Sequence, residues 1–470
     1  MKNTYILLSI FVMLLTATSC EDFLNITPDG QAKRDELLKT QQGIEDAMYG
    51  VYSQMRSQSL YGQELYFSTL EILSQTMWCN GSTGVTAMSE YDWEHSSVKG
   101  IFDGVWTAMY KNISNVNSIL NSPLVENATV YPYTIYRGEA LGMRAFMHFD
   151  LVRLFAEQYT VNPDAAGIPY ATDFSLKTPD FESLQQNYEH ILKDLHEAEL
   201  LLADEDKYEN DGNFMLDRQI HFNLRAVQAT LARVYLTMGD KVNAAYYALA
   251  VINDGKYTLK EKTEVINDLA GVLSTKEAIF GIYYSGFYGN VNGKLQQMTS
   301  YYSLDLRSDF MSLYEKDASG SDYRVMAYFS ESGTGSGSKY RLCKFTDIYE
   351  LNNNASNRPA ELILGINMIR VPEMYYIAAE ALLESNYDKA LLLYNTVREH
   401  RGLEALTDKK LTVELINDER YKEMIGEGQT YFNMKRQNLS ILSHDGKTEY
   451  LPMNGIYAIP VPDAEKENRN

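Results

Sequence analysis

Hydrophobic positions recur at helical spacing through most of the chain. In Phe181, Leu184, Tyr188, Ile191, Leu192, Leu195, Ala198 and Leu202 the apolar residues fall three or four apart almost throughout. Thr178–Pro179 just before them reads as an N-cap followed by a proline at the first helical position. An amphipathic helix is predicted there. Residues 138–155 are instead apolar nearly all round, broken by Arg144, Asp150 and Arg153, which predicts a buried central helix whose charges need partners. Further helical patterns run over 32–56, 102–120, 223–252, 373–400 and 411–437.

Two of these segments read as copies of one unit. Ala232 precedes Ala244 by twelve residues across a Gly239–Asp240 turn, and Ala378 precedes Ala390 by twelve across a Ser385–Asn386 turn. Aromatic residues stand nearby at Tyr235, Tyr247, Tyr376 and Tyr394. Alanine on both arms of a helix hairpin lets two backbones approach closely, the packing of tetratricopeptide-like repeats. Residues 58–100 and 280–360 break the pattern: they are rich in Gly, Ser, Asn and aromatics, with a β-like stretch at Ala278–Tyr284 and a Gly333–Ser338 run expected to be a mobile loop. They read as insertions between scaffold helices, where binding surfaces are usually built. The expected fold class is mainly α: a tetratricopeptide-like helical-hairpin scaffold with irregular loop and short β insertions.

The amino terminus sets the compartment. Lys2, the apolar run Tyr5–Leu15 and the small residues Ala17–Thr18–Ser19 before Cys20 form a signal peptide over residues 1–19, leaving 20–470 as one domain. Eleven residues at about 1.5 Å each reach about half of a 30 Å hydrocarbon core, so a spanning helix is disfavoured. Cys20 at the first mature position suggests lipidation, and multiple acylation of one terminus would give stable anchoring.

Composition narrows the partners. The 470 residues carry 42 Lys plus Arg against 63 Asp plus Glu, a net charge of -21, and loss of Lys2 with the leader takes the mature chain to -22. Such a surface repels phosphate backbones, so nucleic acid is not an expected partner. The 36 Tyr exceed what core building usually draws on, so many rings are expected to face water or a ligand. Three cysteines are too few for a disulfide-stapled scaffold, and nothing in the sequence places Cys79 and Cys343 together.

Enzyme signatures are missing. There is no H-E-x-x-H, no G-x-S-x-G, no complete P-loop around Gly446–Lys447–Thr448 and no G-x-G-x-x-G. His190 and His196, six apart, do not share a helix face well enough to bind a metal, and nothing calls for a metal or cofactor. The blocks Arg137, Glu139, Arg144, Asp150 and Glu419, Arg420, Glu427, Arg436 read as buried ion pairs that fix helix register. The aromatic clusters carry the functional expectation. Trp78, Asn80, Tyr91, Asp92 and Trp93 lie in the first insertion, and Tyr284, Tyr288, Asn290, Tyr301 and Tyr302 in the second. A sugar's C–H face stacks on such rings while its hydroxyls need paired donors and acceptors. Covering about 50 Å² of it at about 25 cal/mol/Å² yields about 1 kcal/mol per ring, so several rings from both insertions are expected to share one cleft.

Several separated blocks resemble the SusD/RagB family of surface nutrient-binding lipoproteins of Bacteroidetes, over essentially the whole mature chain. They are Cys20–Leu24 with Pro28; Arg137–Ala140, Arg144–Phe146 and Asp150–Phe155, with Gly167–Pro169 after them; Leu231–Leu236 with Gly239–Asp240; Ile369–Arg370, Glu373–Tyr375 and Ala378–Ala381, with Asn395, Val397–Arg398 and Arg401–Gly402 after them; and Glu419–Arg420, Glu423, Glu427–Gly428, Tyr431–Phe432 and Lys435–Arg436. Asn433 departs from the Asp often found before Lys-Arg, and the tail after Pro460 is short. The resemblance implies a SusD-like fold anchored in the outer membrane through acyl chains on Cys20 and facing outward. It also implies a SusC-like TonB-dependent transporter as partner, to which oligosaccharide or polysaccharide nutrient is delivered without catalysis. The same scaffold could capture oligopeptide. An anchored glycan-cleaving enzyme and a ligand-free helical-repeat assembly protein are the remaining readings. The family's binding residues follow no fixed motif, so the aromatic candidates rest on their chemistry alone.

Overall fold

The computed structural model describes residues 34–79, 82–175, 179–266, 273, 276–296, 305–307, 309–315, 322–332, 339–347, 349, 352–358 and 362–467. The signal segment, Cys20, Asn80, Tyr301, Tyr302 and the Gly333–Ser338 run lie outside them.

Eight helices form a sequential array: α1 (Gln41–Met55), α2 (Ser96–Leu120), α3 (Tyr133–Phe155), α4 (Leu184–Leu202), α5 (Leu224–Met238), α6 (Lys241–Asp254), α7 (Val371–Leu382) and α8 (Tyr387–His400). Each packs on the next; α5–α6 and α7–α8 are joined by tight turns, whereas shorter elements intervene between α1 and α2, α3 and α4, and α4 and α5, and the second insertion lies between α6 and α7. Because α6 also packs on α7, the two alanine hairpins form one stack despite the 116 residues from Gly255 to Arg370 between them. Ala232, Ala244, Ala378 and Ala390 are fully buried at these contacts, as close backbone approach requires. The first hairpin turns at Gly239, whose φ of +80° suits a residue without a side chain, and Asp240 then caps α6 by accepting from the Asn243 N–H at 3.0 Å. In the second, Asn386 caps α8 through Lys389 N at 3.3 Å.

α3 buries all but a few of its residues, as its apolar pattern predicts. Two boundaries differ from the sequence reading. α4 starts at Ser183, not at Thr178–Pro179: Ser183 and Gln186 form a reciprocal capping box, and Phe181–Ser183 is strand β3, paired antiparallel with β2 (Ala166–Pro169). The 411–437 segment divides into α9 (Val413–Met424) and α10 (Gln429–Arg436) because Gly426 and Gly428 both take positive φ.

The first insertion is more core than surface. Leu60, Tyr61, Leu65, Tyr66, Phe67, Leu70 and Leu73 are all buried, since their clustered apolar side chains outweigh the turn-like spacing between them. β1 (Met77–Trp78) then pairs with β5 (Asp305–Leu306), tying the first insertion to the second. β4 (Ala278–Tyr283) pairs antiparallel with β8 (Gly365–Arg370) and so closes the second insertion at its base, with a small hairpin, β6 (Phe329–Ser332) and β7 (Lys339–Leu342), inside it. A last hairpin, β9 (Ile441–Leu442) and β10 (Glu449–Tyr450), follows α10.

The charged blocks are paired, though mostly with partners from other elements. Arg144 holds Asp194 through Nε and Nη2, both at 2.7 Å, while Glu139 meets Arg218 at 2.6 Å. Arg153 pairs with Asp150, and Arg137, only partly buried, reaches Glu197 at 2.6 Å. At the base of the second insertion Arg370 contacts Glu277, Glu423 and Glu427, and Arg401 bridges Glu277 and Glu423. Arg324 adds Asp322 and Glu419. Burial alone would raise the Glu423 carboxyl, but Arg401 and Arg370 hold it well below the carboxylate range.

Candidate functional site

The strand β1 ends at a half-exposed ring. Trp78 stacks on the His444 imidazole, centroids 4.8 Å apart and planes 14° from parallel. His444 comes from the turn of the β9–β10 hairpin, so residues more than 360 apart build the stack. It is set from below by Gln75, at φ +59°, whose Oε1 accepts from His444 N at 3.1 Å while its Nε2 donates to Ser89 O at 2.6 Å. Beside the stack opens a cavity of about 200 Å³, walled by Trp78, Thr86 and Glu90 on one side and His444, Asp445, Thr448 and Tyr450 on the other. Thr86, Glu90, Asp445 and Thr448 are exposed around it. Asp445 is drawn below the usual aspartate value by its bonds from Lys447 Nζ and Ser443 Oγ, both at 2.8 Å. The arrangement offers a flat apolar surface rimmed by acceptors and hydroxyls, which is what a ligand with one apolar face and many hydroxyls requires.

The remaining aromatic candidates are placed elsewhere. Tyr91 is buried at φ +58° and donates its hydroxyl to Leu73 O at 2.7 Å; its ring packs edge-on to both Trp93 and Tyr450. Tyr288 is also buried. Neither presents a face to solvent, so both are core side chains. Asp92 is exposed and uses its carboxylate to accept from Glu94 N at 3.2 Å. Trp93 is half-buried, donates Nε1 to Gly455 O at 3.1 Å, and lines a separate cavity of about 50 Å³ with Lys99, Phe102, Pro462 and Asp463. Tyr284 lies under the Arg56 guanidinium at 5.6 Å and beside Phe287. Asn290 bridges to the first insertion, donating to Gly62 O at 2.7 Å and accepting from Gln58 Nε2 at 3.2 Å.

The structure thus joins the two insertions at the β1–β5 ladder but, among the described residues, sets Trp78, Trp93 and Tyr284 in three different surroundings instead of one cleft. His444 and Tyr450 are not among the sequence candidates, and the Ser443–Thr448 turn, whose Gly446–Lys447–Thr448 does not complete a P-loop, instead walls the pocket. The cue available was His444-Asp445-Gly446-Lys447, a polar turn between β-like pairs. Cys79 is buried, and the half-buried Cys343 donates its thiol to Ser330 Oγ at 3.1 Å. Among the described residues no group of three or more His, Cys, Asp or Glu could hold a metal ion, and no helix is long and apolar enough to cross a membrane.

A sequential helical-hairpin array carrying loop and short β insertions is the architecture of a recognised protein class, and comparison with known proteins gives it a name. Residues 22–236 match the family described as starch-binding associating with outer membrane, and residues 251–466 match the SusD family. The chain is 26% identical to a SusD-like protein P2 of Formosa agariphila, over 98% of this chain and 94% of that one. Among solved structures, a SusD superfamily protein of Bacteroides thetaiotaomicron superposes with a TM-score of 0.72 at 23% identity, covering 91% of this chain and 97% of that one. A SusD-like carbohydrate binding protein of Bacteroides vulgatus gives 0.71 at 18% identity, over 90% and 95%. The chain belongs to the SusD/RagB family.

Proposed function

We propose that the protein is a non-catalytic, lipid-anchored binding protein of the outer cell surface that captures oligosaccharide in the Trp78–His444 pocket. From there the ligand passes to a SusC-like TonB-dependent transporter in the outer membrane. Family membership supports the nutrient-uptake role, and the carbohydrate-binding relative named above supports the ligand class. The observation that carries the site is the indole–imidazole stack beside a 200 Å³ cavity with four exposed polar side chains on its rim. Anchoring is through Cys20, after removal of residues 1–19.

A glycan array followed by calorimetric titration of the best ligand tests this reading. Trp78→Ala is expected to weaken binding about fivefold to tenfold, the worth of one lost platform of about 1 kcal/mol, with the circular dichroism spectrum unchanged. Glycan binding unaffected by Trp78→Ala would remove the pocket from the proposal. Micromolar capture from a peptide library with no glycan signal would replace the ligand class.

A further inference from the structure

A third cavity, of about 40 Å³, lies in the scaffold where α3, α5, α7, α9 and α10 meet. Its wall is built on charge: Arg153 from α3, Arg233 from α5, Glu373 from α7, Arg420 from α9, and Asn433 and Arg436 from α10. The carboxylates that serve these arginines are fewer than the arginines. Arg153 pairs with Asp150, and Arg233 grips Glu373 through Nε at 2.6 Å and Nη2 at 2.5 Å. Arg420 and Arg436 share one acid, Glu380, at 3.2 Å and 2.8 Å. The position that could have supplied a fourth charge is Asn433, whose neutral Oδ1 accepts from Arg420 Nη1 and from Arg436 Nε at 3.0 Å and Nη2 at 2.7 Å. Lys435 adds no negative charge here; its Nζ is bound to the Arg153 and Ala156 carbonyls.

Hydrogen-bond accounting points the same way. Arg153 Nε, Arg233 Nη1, and Arg420 Nε and Nη2 are all buried and without a hydrogen-bond partner. The orphaned atoms are all donors, on side chains that carry no acceptor. A water could accept from two of them at most, and it would aim its own hydrogens among cations. A guanidinium left buried without full compensation is strongly unfavourable. Burial, with the neighbouring Arg436 charge adding to it, already pulls Arg420 below the usual arginine value.

We propose that this cavity is a binding site for a small inorganic anion of chloride size, held by the N–H groups of Arg153, Arg233 and Arg420. A cavity of about 40 Å³ takes on the order of two or three water-sized bodies, which admits a halide and excludes a sugar or an amino acid. Half-buried Thr237, Gln429 and Arg436 form its outer rim and give an entry path. The bound ion supplies the missing negative charge and fastens the hairpin stack to α9 and α10.

The test uses the soluble mature chain. Thermal unfolding in sodium chloride is compared with sodium gluconate, whose anion is too large to enter, at equal ionic strength. Chloride is expected to raise the midpoint saturably by several degrees. Crystals soaked in sodium bromide are expected to show an anomalous peak among Arg153, Arg233 and Arg420. Asn433→Asp places a resident carboxylate against Arg420 and Arg436 and is expected to weaken the apparent chloride affinity at least tenfold. Equal midpoints in the two salts together with an empty bromide map would overturn the proposal, as would full chloride dependence in a folded Asn433→Asp protein. Should that variant fail to fold, the bromide map of the unaltered chain decides alone.

Discussion

The tyrosines show how residue chemistry is redirected by burial. Their number suggested rings offered to ligand, yet Tyr52, Tyr61, Tyr66, Tyr170, Tyr314 and Tyr431 are core side chains. Each places its hydroxyl on an acceptor inside: Glu139, Asp150, the Asn367 carbonyl, Asp194, the Lys422 carbonyl and the Ile456 carbonyl. Glu71 is a second case. Its carboxyl is wholly buried and accepts from Gly428 N at 2.9 Å through Oε1. Burial pushes it up to about 7, against the lowering effect of the Gly428 and Gly426 N–H groups. A carboxyl whose folded value lies above its unfolded one holds its proton more tightly when folded, so its contribution to stability falls as pH rises from about 4.5 to about 7. Glu71→Gln is expected to remove a decline of about 3 kcal/mol over that interval, read from urea midpoints at successive pH values. A variant with the same pH slope as the parent would assign the decline to other groups.

At the level of elements, caps and close contacts decide where helices start and how near they sit. Ser183 with Gln186 begins α4 where the proline signal did not, because a reciprocal side-chain cap satisfies two backbone groups at once and the residues before it are taken by the β2–β3 ladder. Asp240→Ala is expected to cost about 1 kcal/mol through loss of the α6 cap, measured by chemical denaturation. Ala244→Leu inserts a branched side chain where none fits and is expected to cost about 1–3 kcal/mol or more. If Ala244→Leu proved neutral, close approach would not be what selects alanine there.

On the scale of the molecule, buried ion pairs hold the base of the second insertion to the scaffold. Glu423→Gln leaves Arg370 and Arg401 short of a counter-charge and is expected to cost about 3–5 kcal/mol in thermal unfolding. Removing the exposed Lys99–Asp463 pair should change little. Much of the scaffold was legible along the chain, because helix faces repeat every three or four residues and a hairpin's alanines are local in sequence. The buried character of α3 and the pairing of its charges followed from the same local pattern. The partners did not: Arg144 with Asp194, or Arg370 with Glu423, are matches across tens of residues that no spacing encodes. Trp78 could be singled out as an aromatic in a polar stretch, but its neighbour His444 stands 366 positions away. Local periodicity thus determined which segments are helices and which face each buries, whereas the pocket, the core tyrosines and the unbalanced arginines exist only once the chain closes. Which side chains lose water, and which charges they meet when they do, is a property of contacts between distant segments.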